Sequence, residues 1–264
     1  MAPQELASVD GRITPTVGAT IPLPDDGLYR GDGVFEVIRL YRGRPFALGE
    51  HLDRLERSAA AIELPLERER LEGELEALLE EFGDDDAQLR LVMTRAGRRI
   101  LLTERLPERG ASVRLATVTY SPSVILTGVK SLSYAANMQA TRIAEGRGAD
   151  EALLVRPDGV VLEAPTSSIF WVGPEGALRT PSLSVGILES ITRAQIVRAL
   201  QVEEGEFEVA ELEAAGEAFL ASTVREVQPV AAIDGRELPA PGERTSEAAE
   251  AFSRSLEQAL AARS

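Results

Sequence analysis

Apolar and polar residues along this chain repeat with two periods, and the changes between them mark out the elements. "GVFEVIRLY" at 33–41 and "RPFAL" at 44–48 are strand-like and flank the turn residues Arg42 and Gly43, which predicts a hairpin. "GEHLDRLERSAAAIEL" then places Leu52, Leu55, Ala59 and Ile62 along one helical face, with Pro65 helping to stop the segment. The acidic run "LERERLEGELEALLEEFGDDD" carries Leu71, Leu75, Leu78, Leu79 and Phe82 at the same spacing, so its carboxylates form the solvated face of a helix. In "AQLRLVMTRAG" the period falls to two. Leu89, Leu91 and Met93 share one strand face, and Arg90, Val92 and Thr94 the other.

After a further strand, "ASVRLATVTY", the stretch "SPSVILTG" has turn residues at both ends and separates the halves of the chain. The second half opens on Lys130 and a helical "AANMQATRIAEG", followed by the strand "EALLV", a turn at Arg156 to Gly159 and the strand "VVLEA". Small and hydroxyl residues cluster next, in "APTSSIF". Then come "GILESITRAQIVRAL", a loop running into a helix, the strand "EAFLAST", a turn at Asp234 and Gly235, and an amphipathic C-terminal helix. The pattern predicts a mixed α+β protein: a small α/β domain over 1–120, a linker over 121–128 and a larger domain over 129–264.

Composition narrows the possible functions. With 264 residues, 44% hydrophobic and 27% charged, and no apolar run long enough to span a bilayer, the chain reads as a globular protein without a membrane partner. "MAPQELASVDGR" lacks the basic and apolar blocks of a secretory signal, so a cytoplasmic location is expected. The absence of cysteine excludes disulfides, thiolate nucleophiles and sulfur-based zinc sites. His51 is the only histidine, which excludes a cage of imidazoles. A formal charge of -15, with no basic stripe to relieve it, speaks against nucleic acid as a partner.

One residue stands apart from this composition. Of the 28 basic residues all are arginine except Lys130, so at every other basic position guanidinium was acceptable. Either a surface lysine survived by chance, or this position needs an amine. A desolvated lysine can lose its proton and attack a carbonyl to form an imine, which guanidinium does not do. Imine formation points to aldolase-like chemistry or to pyridoxal phosphate, and the cofactor needs further groups. Glu163, just before "APTSSIF", is a carboxylate suited to a pyridine nitrogen, or else an exposed hairpin residue. Ile191 and Thr192 offer main-chain amides where a helix begins, and the hydroxyls of "AST" at 221–223 offer more donors for a phosphate. Both features also fit an ordinary helix cap and strand end. Tyr134, four residues after the lysine, is within reach of a cofactor's phenolic oxygen or is a packing residue with one polar tip.

These residues resemble the fold-type IV (class IV) pyridoxal-phosphate enzymes, a family of branched-chain and D-amino-acid aminotransferases, 4-amino-4-deoxychorismate lyase and R-selective amine transaminases. "YRGDGVFEVIRLY", "EHLDRLERSA", "VKSLSYAAN", "GADEALLVRPDGVVLEAPTSSIFWV", "GILESITR" and "STVREVQPV" follow the family's order and approximate spacing over nearly the whole chain. The resemblance implies the two-domain D-amino-acid-aminotransferase-like fold, with the larger domain binding pyridoxal 5'-phosphate. It implies that Lys130 is the internal-aldimine lysine that also shuttles the proton between Cα and the cofactor's C4′, and that Glu163 partners the pyridine nitrogen. Arg54 resembles the family's phosphate-binding arginine, joined by Ile191, Thr192, Ser222 and Thr223. Tyr134 takes the place near the cofactor oxygen, Leu188 packs on the ring, and Thr166, Ser167 and Ser168 complete the contacts. The chain departs from the family pattern at Ser168, where many members read "SN" with the preceding serine, and at Ser190, where many have glycine.

For the substrate, Arg30, Phe35 and Arg90 are the candidates, the two arginines because a guanidinium grips a carboxylate with two parallel hydrogen bonds. The resemblance implies amino acids and 2-oxo acids as substrates and a homodimer whose sites borrow loops, so that Arg30 would serve the neighbouring subunit. "FEVIRLY" and "KSL" resemble D-amino-acid aminotransferases, whereas branched-chain enzymes read "FEGIR". The D-specific arginine and histidine trap is missing from "TRAGRRILLTERLP", which has Arg98 and Arg99 but no histidine. The alternatives are 4-amino-4-deoxychorismate lyase, against which Val37 stands where many lyases carry threonine, and a branched-chain (L) amino-acid aminotransferase.

Overall fold

Strand alternation builds the first of two units in the computed structural model, which describes residues 4–261. This unit runs to residue 107 and takes in 129–134 and 259–261. Its elements are β1 (Leu6–Val9), β2 (Arg12–Pro15), α1 (Asp26–Arg30), β3 (Gly33–Tyr41), β4 (Arg44–Pro45), α2 (Leu48–Ala61), α3 (Arg68–Phe82), β5 (Ala87–Thr94) and β6 (Arg99–Glu104). The strands form one antiparallel sheet in the order β2-β1-β6-β5-β3-β4. Val34, Ile38 and Leu40 of β3 and Leu89, Leu91 and Met93 of β5 face one way. Against them pack Leu52, Leu55 and Ala59 of α2 and Leu71, Leu75 and Leu78 of α3, as the two periodicities require.

The turns correct two expectations. Arg42 (φ 49°) and Gly43 (φ 70°) make the β3–β4 hairpin turn, where a side chain at Gly43 would also run into the carbonyl of Gly83. The strand read in "RPFAL" is only Arg44–Pro45, because Ala47 (φ 50°) turns the chain directly into α2. That helix ends at Ala61, four residues before Pro65. Glu63 takes a left-handed φ of 53°, and the N–H groups of Glu63 and Leu64 donate back to the carbonyls of Ala60 and Ala59 at 3.0 and 2.8 Å. This is a Schellman ending with glutamate in glycine's usual place. The guanidinium of Arg95 donates to the carbonyls of Ile62 and Glu63 at 2.6 and 2.7 Å and so covers the same helix end.

The second unit comprises 108–128 and 135–258. It contains β7 (Val113–Thr119), α4 (Ala135–Glu145), β8 (Glu151–Val155), β9 (Ser168–Val172), β10 (Leu178–Pro181), α5 (Ile191–Ala199), β11 (Val202–Gly205), α6 (Ala210–Glu213), β12 (Ala218–Ser222), β13 (Glu226–Ile233), β14 (Arg236–Glu237) and α7 (from Glu243). An eight-stranded sheet runs β11-β10-β9-β12-β13-β7-β8, with β14 paired to β13. "VVLEA" returns beside β8 through hydrogen bonds such as Leu162 N–H to Leu154 O (2.9 Å), but only as isolated bridges rather than a regular strand. The interior is a set of apolar clusters, one centred on Trp171, Leu220 and Val230.

The units do not coincide with the expected limits at 120 and 129. Strand β7 pairs in parallel with β8 and β13 and therefore belongs to the second sheet. Residues 129–134, including Lys130, belong to the first unit because they pair with the start of β3. Among the described residues no helix is long and apolar enough to cross a membrane, and no cluster of histidine and acidic side chains could hold a metal ion.

Candidate cofactor and active site

The lysine segment is fixed by main-chain bonds at the edge of β3. Phe35 N–H donates to Lys130 O at 3.0 Å, Leu132 N–H donates to Gly33 O at 2.9 Å, and Val34 bridges Ser131. Gly33 permits this approach, since a side chain there would collide with Met93 O and Leu132. From α2, the Ser58 hydroxyl accepts the Lys130 N–H at 3.2 Å. Because Ser131 pairs with Val34, Lys130 falls on the opposite face, with Phe35. Its Nζ stands 4.4 Å from the centre of the Phe35 ring, and Tyr134 meets that ring edge-on at 5.4 Å. Three of the expected residues, Phe35, Lys130 and Tyr134, are thus brought together.

The same face carries more. Phe35, Val37 and Arg39 alternate along β3, with Val92 opposite Phe35 and Arg90 opposite Val37. Arg90 lies on this face, opposite the apolar row of β5, and Glu104 accepts from its Nε at 2.8 Å. Arg39 was not singled out in the sequence, yet two-residue alternation from Phe35 would have found it. Its Nε is buried without a hydrogen-bond partner among the described residues. Arg30, by contrast, is exposed at the end of α1 and ion-paired with Asp26.

Behind this face lies a buried charged trio. Glu36 points into the core side of the sheet, where Arg54 donates Nε and Nη2 to its two oxygens at 2.7 Å each, and His51 Nδ1 lies 2.8 Å from Oε2. Burial alone would raise the Glu36 pKa, but the Arg54 charge and hydrogen bonds, helped by His51, outweigh it and hold the carboxyl at about 2. Burial lowers the His51 pKa more than Glu36 restores it, so the ring is neutral at pH 7 and donates from Nδ1. Arg54, expected at the phosphate, therefore has two of its nitrogens committed to Glu36, one helical turn from the serine that holds Lys130.

The second unit carries the remaining expected residues. Glu163 Oε1 accepts the N–H of Leu188 at 3.0 Å. Tyr120, which the sequence did not mark, stands near Glu163, and Asn137, equally unmarked, is bonded to Tyr120. Burial, and then the negative charge of Glu163, raise the Tyr120 pKa, and the phenol donates to Asn137 Oδ1 at 3.3 Å. Asn137 in turn donates to the carbonyl of Pro165 at 3.2 Å. After Glu163 the chain makes a tight turn, with Ala164 and Ser167 hydrogen-bonded to each other and Thr166 at the tip. The hydroxyls of Ser167 and Ser168 are buried without a partner among the described residues.

Helix α5 begins as the sequence predicted. Ser190 caps it by accepting the Arg193 N–H at 3.3 Å, and its carbonyl accepts Ala194 N–H. That leaves the N–H groups of Ile191 and Thr192 as the first-turn donors without a partner in the helix. Ser222 and Thr223 lie where β12 turns into β13. Taken as a donor set, these groups fit pyridoxal phosphate. An amine suits the aldehyde, a fixed carboxylate suits the ring nitrogen, and helix-start amides with strand-end hydroxyls suit the phosphate. The two orphaned serine hydroxyls are buried donors of the kind a bound anion or ring oxygen would satisfy.

Known proteins agree with this reading. A family model described as amino-transferase class IV matches residues 33–233. A putative branched-chain-amino-acid aminotransferase of Methanocaldococcus jannaschii is 33% identical, over 86% of this chain and 88% of that protein. A D-alanine aminotransferase of Listeria monocytogenes is 32% identical, over 86% of this chain and 87% of that protein. A solved fold IV transaminase from Curtobacterium pusillum superposes with a TM-score of 0.83 at 28% identity, covering 95% of this chain and all of that one. The chain therefore belongs to the class IV aminotransferase family of pyridoxal-phosphate-dependent transferases.

Proposed function

We propose that this enzyme moves an amino group between an amino acid, D-amino acids favoured, and a 2-oxo acid, with Lys130 as cofactor anchor and proton carrier. The observation that carries the reading is the Lys130 amine on the Phe35 ring, on the sheet face that also holds Arg39 and Arg90. When bound, pyridoxal phosphate supplies an electron sink that acidifies the Cα–H of an amino acid joined to it.

The chain's own residues do the rest. Lys130 would hold the cofactor through its amine and, when that amine is free, would carry the proton between the substrate Cα and the cofactor's C4′. Glu163, kept in place by Leu188 N–H, holds a proton on the ring nitrogen. Ile191 and Thr192 amides, Ser222, Thr223 and Arg54 hold the phosphate, Tyr134 serves the phenolic oxygen, Leu188 packs on the ring, and Thr166, Ser167 and Ser168 line the surroundings. Arg90 and Arg39 would grip the substrate carboxylate, with Phe35 beside the Lys130 amine.

The likeness of "FEVIRLY" and "KSL" to D-amino-acid enzymes supports that handedness. Val37, opposite Arg90, presents no hydroxyl for an elimination and so supports transfer over the lyase reaction. A homodimer accounts for the exposed apolar residues Val17, Leu23, Leu28 and Tyr29, which a second copy would cover, and Arg30 beside them would then reach the neighbouring subunit. Incubation with D-alanine, L-leucine or aminodeoxychorismate, each with a 2-oxo acid acceptor, tests the reading. Transfer from D-alanine that disappears in Lys130→Ala is the expected result. Faster pyruvate release from aminodeoxychorismate, or full activity in Lys130→Ala, would overturn it.

A further inference from the structure

We propose that Glu151 is a positioning residue for cofactor binding, because its carboxylate ties together the two turns that carry the hydroxyls assigned to the cofactor. The inference rests on the reading of Ser222 and Thr223 as phosphate contacts and of Thr166 to Ser168 as their neighbours.

Glu151 opens β8 and is buried. One carboxylate oxygen, Oε1, accepts the Thr166 hydroxyl at 3.4 Å, at the tip of the 164–167 turn. The other, Oε2, is ion-paired with Nη2 of Arg225, in the turn between β12 and β13. Strands β9 and β12 are antiparallel neighbours, with Ser168 opposite Ala221, so both turns lie at the same end of the sheet. A single carboxylate thus spans them, one oxygen to each.

Arg225 transmits the restraint to the hydroxyls. Its own N–H donates to the Ser222 Oγ at 3.4 Å, and its Nη1 donates to Gln228 Oε1 at 2.8 Å. Gln228 is anchored in turn on the carbonyl of Gly110 at 3.0 Å. The guanidinium is therefore held from two sides, and the three residues between β12 and β13 cannot swing without breaking a charged contact. The turn needs such a restraint, since Glu226 closes it with a left-handed φ of 60°.

Stability alone is a poor reason for this carboxylate to be here. Burial raises the Glu151 pKa more than Arg225, Thr166 and Arg109 lower it, so keeping the charge inside costs free energy. Loop placement explains the arrangement without requiring a stability gain. Thr166 keeps an acceptor in Glu151→Gln, whereas Arg225 loses its ionic partner.

The test compares wild type, Glu151→Gln, Glu151→Ala and Arg225→Lys. Each is stripped of cofactor and retitrated with pyridoxal phosphate or with pyridoxal, which lacks the phosphate, following visible absorbance. Loss of one charge-assisted bond at a loop is expected to weaken pyridoxal phosphate by about tenfold in Glu151→Gln. Arg225→Lys, which keeps the cation, should recover part of the loss. Pyridoxal affinity and the melting temperature of the stripped protein should change little. Equal affinities in wild type and both Glu151 variants would overturn the proposal, as would equal losses for the two ligands. If Glu151→Ala does not fold, the isosteric Glu151→Gln decides alone. Wild type that binds no pyridoxal phosphate would instead overturn the cofactor reading itself.

Discussion

Replacing Glu36 by glutamine tests the buried trio on which α2, and through Ser58 the lysine segment, depends. The carboxyl has no solvent around it and titrates at about 2 instead of its ordinary 4.5, because Arg54 and His51 prefer it charged. A folded-state pKa below the unfolded one adds stability that is fully present above about pH 4.5 and is lost as the pH falls toward 2. The whole shift corresponds to about 3 kcal/mol, of which about 2 kcal/mol is gone by about pH 3. In Glu36→Gln the Arg54 charge stays buried with a neutral amide, a change expected to cost about 3 kcal/mol at pH 7. Urea unfolding of both proteins at about pH 7 and pH 3 measures this, read as the gap between them. The gap should shrink by about 2 kcal/mol on acidification, since wild type loses a contribution the variant never had. A gap that is the same at both pH values would refute the ionised, Arg54-paired carboxylate.

Glu63→Gly should raise stability by about 1 kcal/mol in the same assay, because glycine takes the left-handed position at the end of α2 without strain; a loss of stability would contradict that ending. Leu55→Ala, at the centre of the first unit's core, should cost about 2–5 kcal/mol. Arg90→Leu and Arg39→Leu should each raise KM for 2-oxo acids with a smaller effect on kcat, and unchanged steady-state kinetics in both would remove the carboxylate assignment.

Much of this could be read from the chain, and the gaps have physical causes. Helices α2, α3 and α4 announce themselves because each buries one stripe against a sheet, which fixes a 3.6-residue repeat. β5 is equally plain, its two faces meeting different surroundings. β6 was missed because "RILLTE" has three consecutive apolar residues and no clean alternation. It lies between β5 and β1, and both faces receive apolar residues. The domain limits were misplaced for a related reason. Turn residues at 121–128 are local, while the pairing of β7 with β13 and of Ser131 with Val34 joins residues about a hundred positions apart.

At the site, Lys130 stood out by chemistry and Glu163 by its setting in a motif, and both are held by specific hydrogen bonds. The partners of Arg54 were not legible. In "FEVIRLY" alternation puts Glu36 on the buried face between Val34 and Ile38, an apparent violation of the pattern. Only the packing of α2 across the sheet shows that Arg54 and His51 satisfy it. Tyr120, Asn137 and Glu151 escaped notice because their roles lie in contacts between loops distant in sequence.

Borohydride reduction of the cofactor-loaded enzyme, followed by peptide mass spectrometry, tests the central claim most directly. It should find pyridoxal phosphate fixed to one side chain, Lys130, and none in Lys130→Ala. Label on the N-terminal amine instead, or no label in a protein that has bound the cofactor, would contradict the account.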